Sequence, residues 1–320
     1  MRRFKHDALL PLLAAETVVT GRATAGGGID GDTVPNQHTL LLMPAVTDGS
    51  LQDVCDDVTN SRGRLPAAVL LSLCAQAASG LACMHAHSPP YAHRDVKPGN
   101  LLLQGWRPLQ VPFASDVARS PAASTWSVRA MLCDFGSTRP ARHAGEGGRP
   151  AARCLVEAAA AECSALYRPP ELYHLDDPAM VDERVDVWAL GCLLYAGMYG
   201  DSPFQYAVAT GGSVALAVLS GKIRWPVAQQ PYPEAMRQLV EWMLVADPRE
   251  RPAMSDVAAR LHATLAAPPW LQQHQPQEAP AWTPQFDDGA SPPPLPPRPS
   301  QGASRVSTDA PPGSSRISDS

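Results

Sequence analysis

The chain is poor in lysine, and its cysteines follow none of the spacings that bind zinc. Only Lys5, Lys97 and Lys222 occur among its 320 residues, so most basic side chains are arginines. The seven cysteines include no C-x-x-C pair, which excludes the common zinc motifs and favours reduced thiols in a cytoplasmic protein. A net charge of −5 gives no reason to expect a nucleic-acid partner.

The sequence also lacks a stretch that predicts a transmembrane segment. Residues 187–199 are apolar but too few to cross a bilayer, and polar side chains interrupt residues 67–84. A signal-like start over residues 1–15 is broken by a histidine, an aspartate and a proline. The apolar stretches at residues 67–84 and 187–199 are therefore interpreted as core helices.

Apolar periodicity predicts a mainly helical chain with a few short strands. Leucine and alanine recur at spacings of three and four over residues 65–87, which is typical of an amphipathic helix. Further helices are predicted at residues 151–163, 183–199, 213–222, 233–245 and 255–265. Strands are predicted at residues 39–43, 101–103 and 128–133, and a helix end followed by a strand at residues 8–19.

One loop carries the side chains that phosphoryl transfer requires. Residues 93–100 read His-Arg-Asp-Val-Lys-Pro-Gly-Asn, and Asp-Phe-Gly follows at 134–136. Transfer from a nucleotide needs a carboxylate near the attacking hydroxyl, a cation on the phosphate and oxygen ligands for magnesium. These types occur in that order at Asp95, Lys97, Asn100 and Asp134.

Each of these side chains also has a simpler interpretation. Asp95 is the predicted base or orienter of a substrate hydroxyl, and the alternative is a carboxylate that caps a turn. Lys97 is predicted to neutralise charge on the γ-phosphate, and the alternative is a solvated surface lysine. Asn100 and Asp134 are predicted to bind Mg²⁺, since Asp134 follows a short apolar strand and would emerge at its end.

The array resembles the catalytic loop and the metal-binding turn of protein kinases. Residues 168–171 stand where kinases carry A-P-E, residues 186–191 resemble the start of their buried helix, and residues 247–252 resemble the segment whose arginine pairs with that glutamate. The resemblance implies an α+β, protein-kinase-like fold, with a mainly helical large lobe and a truncated small-lobe sheet. Because Lys97 is typical of serine/threonine kinases, it implies transfer of phosphate from ATP, with Mg²⁺, to protein Ser or Thr hydroxyls.

The resemblance divides the chain into three parts. Residues 1–46 would be a remnant of the small lobe and the hinge, and residues 47–266 the large lobe. Within the large lobe, residues 104–127 are expected to be a surface insertion and residues 134–171 the activation segment. Proline and serine dominate residues 267–320, which are predicted to be a disordered tail.

A nucleotide site and several supporting contacts are implied by the same resemblance. Met43 would be the gatekeeper, and Leu102 the floor of the pocket. The full implied nucleotide site is Met43, Pro44, Val46, Lys97, Asn100, Leu102 and Asp134. The implied structural features are His93 and Phe135 as packing residues of a stacked hydrophobic spine, a Glu171–Arg251 pair, and Asp186 bound to the backbone of the loop.

Arg94 has an implied regulatory role. In the family this arginine usually binds a phosphate on the activation segment. The candidate acceptors are Ser137, Thr138 and Ser164.

The resemblance can be narrowed to the Numb-associated kinase family. Residues 134–137, the helical stretch before residues 167–172, and residues 181–195 carry this likeness. Residues 212–218 are similar to its lipid-anchored, Golgi-associated branch. Membership would imply a helical insert in the activation segment, links to membrane traffic and a cytoplasmic protein peripheral to the Golgi or other endomembranes in its full-length form.

Three parts of a complete kinase have no counterpart in the sequence: G-x-G-x-x-G, the lysine of the third strand and the glutamate of the next helix. No lysine occurs between Lys5 and Lys97. We favour a truncated reading of a longer protein over the alternative, a non-catalytic pseudokinase scaffold. A small-molecule phosphotransferase is disfavoured by Lys97 and by residues 168–171.

The predicted tail contains one interaction motif. Residues 293–298 read Pro-Pro-Leu-Pro-Pro-Arg, which fits a P-x-x-P-x-R ligand of an SH3 domain. The alternative is an ordinary proline-rich run in a solvated tail.

Overall fold

The structure is a computed structural model that describes residues 4–20, 36–60, 64–106, 128–142, 148–175, 181–226 and 232–266. Most of the predicted surface insertion, the predicted tail and its SH3 motif lie outside these residues.

Eight helices and six strands occur in the described part of the chain. Their order is β1 (Ala14–Thr20), β2 (Asn36–Leu42), α1 (Leu51–Asn60), α2 (Ala67–His85), β3 (Tyr91–Ala92), β4 (Leu101–Gln104), β5 (Arg129–Leu132), β6 (Arg139–Pro140), α3 (Gly148–Glu162), α4 (Val185–Tyr199), α5 (Gln205–Ala209), α6 (Val214–Leu219), α7 (Glu234–Met243) and α8 (Met254–Ala266). Every predicted helix is present with ends shifted by a few residues, and the predicted α+β class is confirmed. Helices α1 and α5 were not predicted.

Helix α1 begins at a signal that the sequence does contain. The Ser50 N–H donates to Asp53 Oδ2 over 2.7 Å, and the Asp53 N–H donates to Ser50 Oγ over 3.3 Å. This reciprocal pair is a capping box. Leu51, Val54 and Cys55 are buried at a spacing of three and four. The three aspartates of the helix, which have low helix propensity, conceal this pattern.

Helices α2 and α4 form the centre of the large core. Helix α2 packs against α8, α4 and β5. Every residue of α4 is buried, as expected for a helix that is apolar on all sides. Trp188 of α4 stacks on Phe204, with ring centroids 5.7 Å apart and planes at 2°.

By length and composition alone, α2 is apolar enough to cross a membrane. However, 61% of its apolar window is buried inside the fold, as in the core helix of a globular domain. This burial agrees with the interpretation of residues 67–84 as a core helix.

Short antiparallel strand pairs hold the ends of the functional loops. Strand β4 pairs with β5 so that Leu101 lies opposite Leu132, and β3 pairs with β6 so that Ala92 lies opposite Arg139. The loop between β3 and β4 and the segment between β5 and β6 are therefore neighbours. These are the two segments that carry the predicted catalytic residues.

The predicted helix end at residue 8 is wrong. Residues 8–10 are buried and run parallel to β5. The Leu10 N–H donates to the Leu132 carbonyl and the Leu132 N–H donates to the Ala8 carbonyl, both over 2.8 Å. The free edge of β5 thus gives this apolar segment backbone partners that a helix end would not supply.

Strands β1 and β2 form an antiparallel pair from Ala14↔Leu42 to Thr20↔Asn36. Leu40, Leu41 and Leu42 are 59%, 50% and 59% exposed. Since alternate residues of a strand point to opposite faces, the described residues bury neither face of this small sheet at that end.

Candidate active site

Three of the four predicted catalytic side chains form one hydrogen-bonded cluster. Lys97 Nζ donates to Asp95 Oδ2 over 2.7 Å, and Asn100 Nδ2 donates to the same oxygen over 2.9 Å. Asn100 Nδ2 also donates to the Asp95 carbonyl over 2.8 Å. A short 3-10 turn from Pro98 to Asn100 makes this possible, because it folds the chain back before β4 begins.

The fourth predicted residue, Asp134, lies beside this cluster. The Cys133 N–H donates to the Asn100 carbonyl over 2.9 Å, which continues the β4–β5 pairing to the residue before Asp134. Asp134 has a φ of 59°, in the left-handed region, and its Oδ1 accepts from the Gly136 N–H over 3.3 Å. The two strands thus bring residues 100 and 134 to the same end of the pair.

The Asp95 carboxylate is held in its ionised form. Burial works to raise the pKa of Asp95, but hydrogen bonds from Lys97 and Ser164 and the charge of Lys97 outweigh burial and hold the pKa below its ordinary value. A carboxylate that is ionised and hydrogen-bonded can orient a hydroxyl and accept its proton.

Asn100 and Asp134 fit a magnesium ion by the chemistry of their free oxygens. Because Asn100 uses its amide nitrogen on Asp95, its carbonyl oxygen is left as the available ligand. Asp134 is exposed, so its carboxylate is accessible from solvent. No cluster of three or more His, Cys, Asp or Glu side chains suited to a metal occurs in the described residues. Mg²⁺ commonly takes one or two protein carboxylates and completes its shell with phosphate and water.

Ser164 is a member of this cluster that the sequence analysis assigned differently. Its N–H and its Oγ–H both donate to Asp95 Oδ1, over 3.0 and 2.8 Å, and its Oγ accepts from Lys97 Nζ over 2.9 Å. The sequence analysis treated Ser164 as a candidate phosphate acceptor. No local pattern predicts the contact, since 69 residues separate Ser164 from Asp95.

Residues 18–262 match the family described as Protein kinase domain, which is more than half of the chain. The chain belongs to this family. The predicted protein-kinase-like fold is therefore confirmed.

Named relatives agree with the family match. Serine/threonine-protein kinase 16 of Mus musculus is 34% identical over 277 residues, which cover 86% of this chain and 77% of that protein. The Homo sapiens protein of the same name is 34% identical over 238 residues, covering 74% and 68%. Actin-regulating kinase 1 of Saccharomyces cerevisiae is 30% identical over 248 residues, covering 76% and 33%.

In this kinase domain, the buried carboxylate of Asp186 binds backbone N–H groups of the catalytic loop. Its carboxylate accepts from the His93 and Arg94 N–H groups and from His85 Nε2, each over 2.8 Å. Burial works to raise the pKa of Asp186, but these hydrogen bonds and the nearby histidines outweigh it and lower the pKa. The bonds also hold Arg94 at a φ of 69°, a conformation that costs energy for a residue with a side chain.

His93 links the catalytic loop of the kinase to the Asp-Phe-Gly turn. Its Nε2 lies 3.0 Å from the Cys133 carbonyl, and the Asp95 N–H donates to its Nδ1 over 3.4 Å. Burial lowers the pKa of His93, so the ring is neutral and carries its proton on Nε2. The His93 and Phe135 rings are in contact, with centroids 5.2 Å apart, but their planes are tilted by 54° and are not stacked.

The predicted Glu171–Arg251 pair is also present in the kinase domain. Arg251 Nη1 and Nη2 donate to Glu171 Oε1 and Oε2 over 2.8 and 3.0 Å, and both side chains are buried. Arg251 also donates to the Arg184 carbonyl over 2.9 Å. The end of the predicted activation segment is thus bound to the helical core.

Of the implied nucleotide residues, Leu102 lies in β4, next to residues 49 and 50. Ser50 forms a backbone bridge with Leu102, and the Leu103 N–H donates to the Gly49 carbonyl over 2.9 Å. Met43 and Pro44 are exposed, and Leu102 is partly buried. The structure therefore places Leu102 beside residues 49–50, just before α1, and its grouping with Met43, Pro44 and Val46 stays a prediction.

Proposed function

We propose that this chain is a serine/threonine protein kinase that transfers the γ-phosphate of ATP, with Mg²⁺, to Ser or Thr hydroxyls of proteins. The observation that carries this proposal is the convergence of Lys97, Asn100 and Ser164 on the Asp95 carboxylate, with Asp134 alongside. The membership of the chain in the protein kinase family supports the use of ATP and Mg²⁺ in general terms.

Each side chain then has a chemical role. Asp95 orients the attacking hydroxyl and accepts its proton. Lys97 places its charge on the transferred phosphate, and Asn100 and Asp134 would hold Mg²⁺, which neutralises charge on the phosphates. The nucleotide base would lie against Met43, Leu102 and the backbone of Pro44 and Val46.

Replacing Asp95 with asparagine tests this assignment. We expect Asp95→Asn to lower kcat for a generic Ser/Thr peptide by roughly 10²- to 10⁴-fold, which is the usual contribution of a general base. The Kd for a non-hydrolysable ATP analogue should change little. Asp256→Asn, on the exposed first turn of α8, is the matched control and should keep full activity. Turnover of Asp95→Asn at the wild-type rate would exclude the proposed role.

A non-catalytic scaffold remains the second candidate function. No lysine occurs between Lys5 and Lys97, and no G-x-G-x-x-G occurs in the sequence given, but the family match and the named relatives do not favour a scaffold. The same assay separates the two, because a scaffold would show no transfer in either the wild type or the control variant.

We also propose a kinase subfamily, a cellular location and an SH3-domain partner for this chain. The helix α3 inside residues 134–171 and the sequence of residues 212–218 support the lipid-anchored, Golgi-associated branch of the Numb-associated kinases and an endomembrane location in a full-length form. Residues 293–298, outside the described residues, would bind an SH3 domain. Imaging of a fluorescent fusion and binding of the 293–298 peptide to SH3 domains test these two points.

A further inference from the structure

The predicted activation segment of this kinase contacts the catalytic loop through unphosphorylated side chains. Kinase activation segments are commonly ordered by phosphorylation, through new contacts between arginines and the phosphate. Here the segment already reaches Asp95 through Ser164. The contacts that hold Ser164 in place therefore decide whether the site is assembled.

The activation segment has few hydroxyls that could accept a phosphate. The 25 residues from Arg139 to Cys163 contain no Ser, Thr or Tyr. Ser137 is buried and donates its Oγ–H to the Glu162 carbonyl over 2.7 Å. Thr138 Oγ1 is buried, with no hydrogen-bond partner among the described residues. Ser164 is bound to Asp95 and Lys97, so phosphorylation of any of the three would disrupt the packed segment.

An acidic side chain lies where an ordering anion is needed. Arg139 Nε donates to Glu162 Oε2 over 3.2 Å, and Arg139 Nη2 donates to Glu162 Oε1, so the pair is bidentate. Arg139 lies in β6, opposite Ala92 and next to the catalytic loop. The tip of Arg94, Nη2, lies 3.5 Å from the carbonyl of Pro140, the residue after Arg139.

The charge of Glu162 also acts on Arg94. Burial lowers the pKa of the Arg94 guanidinium, and the charges of Cys163, Asp186 and, more weakly, Glu162 oppose this by raising it. Glu162 thus contacts Arg139 directly and acts on Arg94 only through a weaker electrostatic attraction. That is the charge arrangement that a phosphate would make with an arginine cluster.

Glu162 does not stabilise its own helix at the position where it lies. Glu162 is the last residue of α3, where the helix dipole disfavours a negative charge. The two residues that follow Glu162 are Cys163 and Ser164. The Cys163 carbonyl accepts from Arg168 Nη2 over 2.7 Å, and Ser164 binds Asp95 in the site. Fixing Glu162 therefore fixes the register of Ser164.

We propose that the Arg139–Glu162 pair, next to Arg94, replaces an activating phosphate in this chain and holds Ser164 on Asp95 without modification. Glu162 and Arg139 are positioning residues in this scheme, since they act through Ser164. The regulatory meaning rests on the proposed kinase function, but the ordering of residues 162–164 does not.

Hydrogen–deuterium exchange on the full chain, shown to be free of phosphate by mass spectrometry, tests the ordering. In the wild type the amides of residues 160–167 should be protected. Because the Arg139 and Glu162 side chains are 48% and 28% exposed, Glu162→Gln should raise their exchange rate by roughly two- to fivefold, as expected for loss of a partly exposed ion pair, and Glu162→Asp should retain part of the protection. Glu157→Gln breaks the exposed Arg153–Glu157 pair on the same helix and should change nothing at residues 160–167.

Two outcomes would overturn the proposal. In the first, residues 160–167 of Glu162→Gln exchange as slowly as in the wild type. In the second, α2 and α4 exchange faster as well, since the pair would then support the whole fold rather than the segment.

Kinase activity of the same unphosphorylated proteins separates the proposal from the function on which it rests. We expect Glu162→Gln to lower kcat/KM for the peptide by roughly two- to fivefold, with Glu157→Gln unchanged. An active wild type with an equally active Glu162→Gln would reject the proposal and keep the kinase. An inactive wild type with the expected exchange pattern would reject the kinase and keep the ordering role of the pair.

Discussion

At the scale of single residues, the site depends on buried carboxylates whose donors come from other parts of the chain. Asp186 is fully buried and binds three N–H donors from the end of α2 and from the catalytic loop. A buried carboxylate without these donors would be strongly unfavourable. The loop conformation, including the left-handed Arg94, is thus tied to the ionisation of one side chain.

Replacing Asp186 with asparagine should lower the free energy of unfolding by roughly 1.5–3 kcal/mol, as for loss of hydrogen bonds to a buried charged group. The pKa of Asp186 is lowered below its ordinary value of 3.8, so its contribution is fully present above that value and is lost as the pH falls through the folded pKa. The difference in stability between wild type and Asp186→Asn should therefore be constant from about pH 7 to about pH 5 and shrink below about pH 4. Urea denaturation at several pH values measures it, and a pH-independent difference would contradict the assignment.

At the scale of elements, the large core depends on the close approach of α2 and α4. A Cβ at Gly197 of α4 would lie 3.0 Å from Leu70 Cδ2 and 3.3 Å from its Cγ. Leu70 is fully buried, so it has little freedom to move away. Glycine is therefore required at this crossing by space rather than by backbone conformation.

Gly197→Ala should destabilise the fold by about 1–3 kcal/mol through overpacking, although alanine is the better helix former. In the double variant Gly197→Ala with Leu70→Ala, the loss should be smaller than the sum of the two single losses, because the smaller side chain makes room for the methyl group. Urea midpoints of the four proteins form the cycle. Additive losses would show that the two residues do not compete for space.

At the scale of the whole molecule, the activation segment is joined to the helical core by the Glu171–Arg251 pair. Eighty residues separate the partners, and both are buried. Arg251 also contacts the Arg184 and Val245 carbonyls and lies over the Trp188 ring. One guanidinium therefore connects the segment, the start of α4 and the approach to α8.

Arg251→Lys should cost roughly 2–4 kcal/mol, because lysine keeps the charge but cannot make the two-pronged contact with Glu171 and the carbonyl contacts together. Arg249→Lys, in an exposed pair with Asp247, is the matched control and should leave the urea midpoint unchanged. Equal urea midpoints of the two variants would show that the buried pair contributes no more to stability than a surface pair.

Helix prediction succeeded where apolar spacing was strong and failed where it was weak. The core helices α2 and α4 and the amphipathic helix α7 follow from regular spacing or continuous apolar composition. Helix α1 was missed because its aspartates mask the pattern, and α5 because five residues are too few to show a period. The segment at residues 8–10 depends on a free strand edge that belongs to distant residues.

The amino-acid order by itself determined the chemical inventory of the site and the helices that carry it, because these are properties of residue type and short-range spacing. The meeting of Ser164 with Asp95, of Arg139 with Glu162 and of Asp186 with the backbone of the loop was decided only by the packed chain. The partners in these contacts are 69, 23 and more than 90 residues apart. Hydrogen bonds and ion pairs depend on distance in space, and that distance is set by how α2, α4 and the short strand pairs pack together.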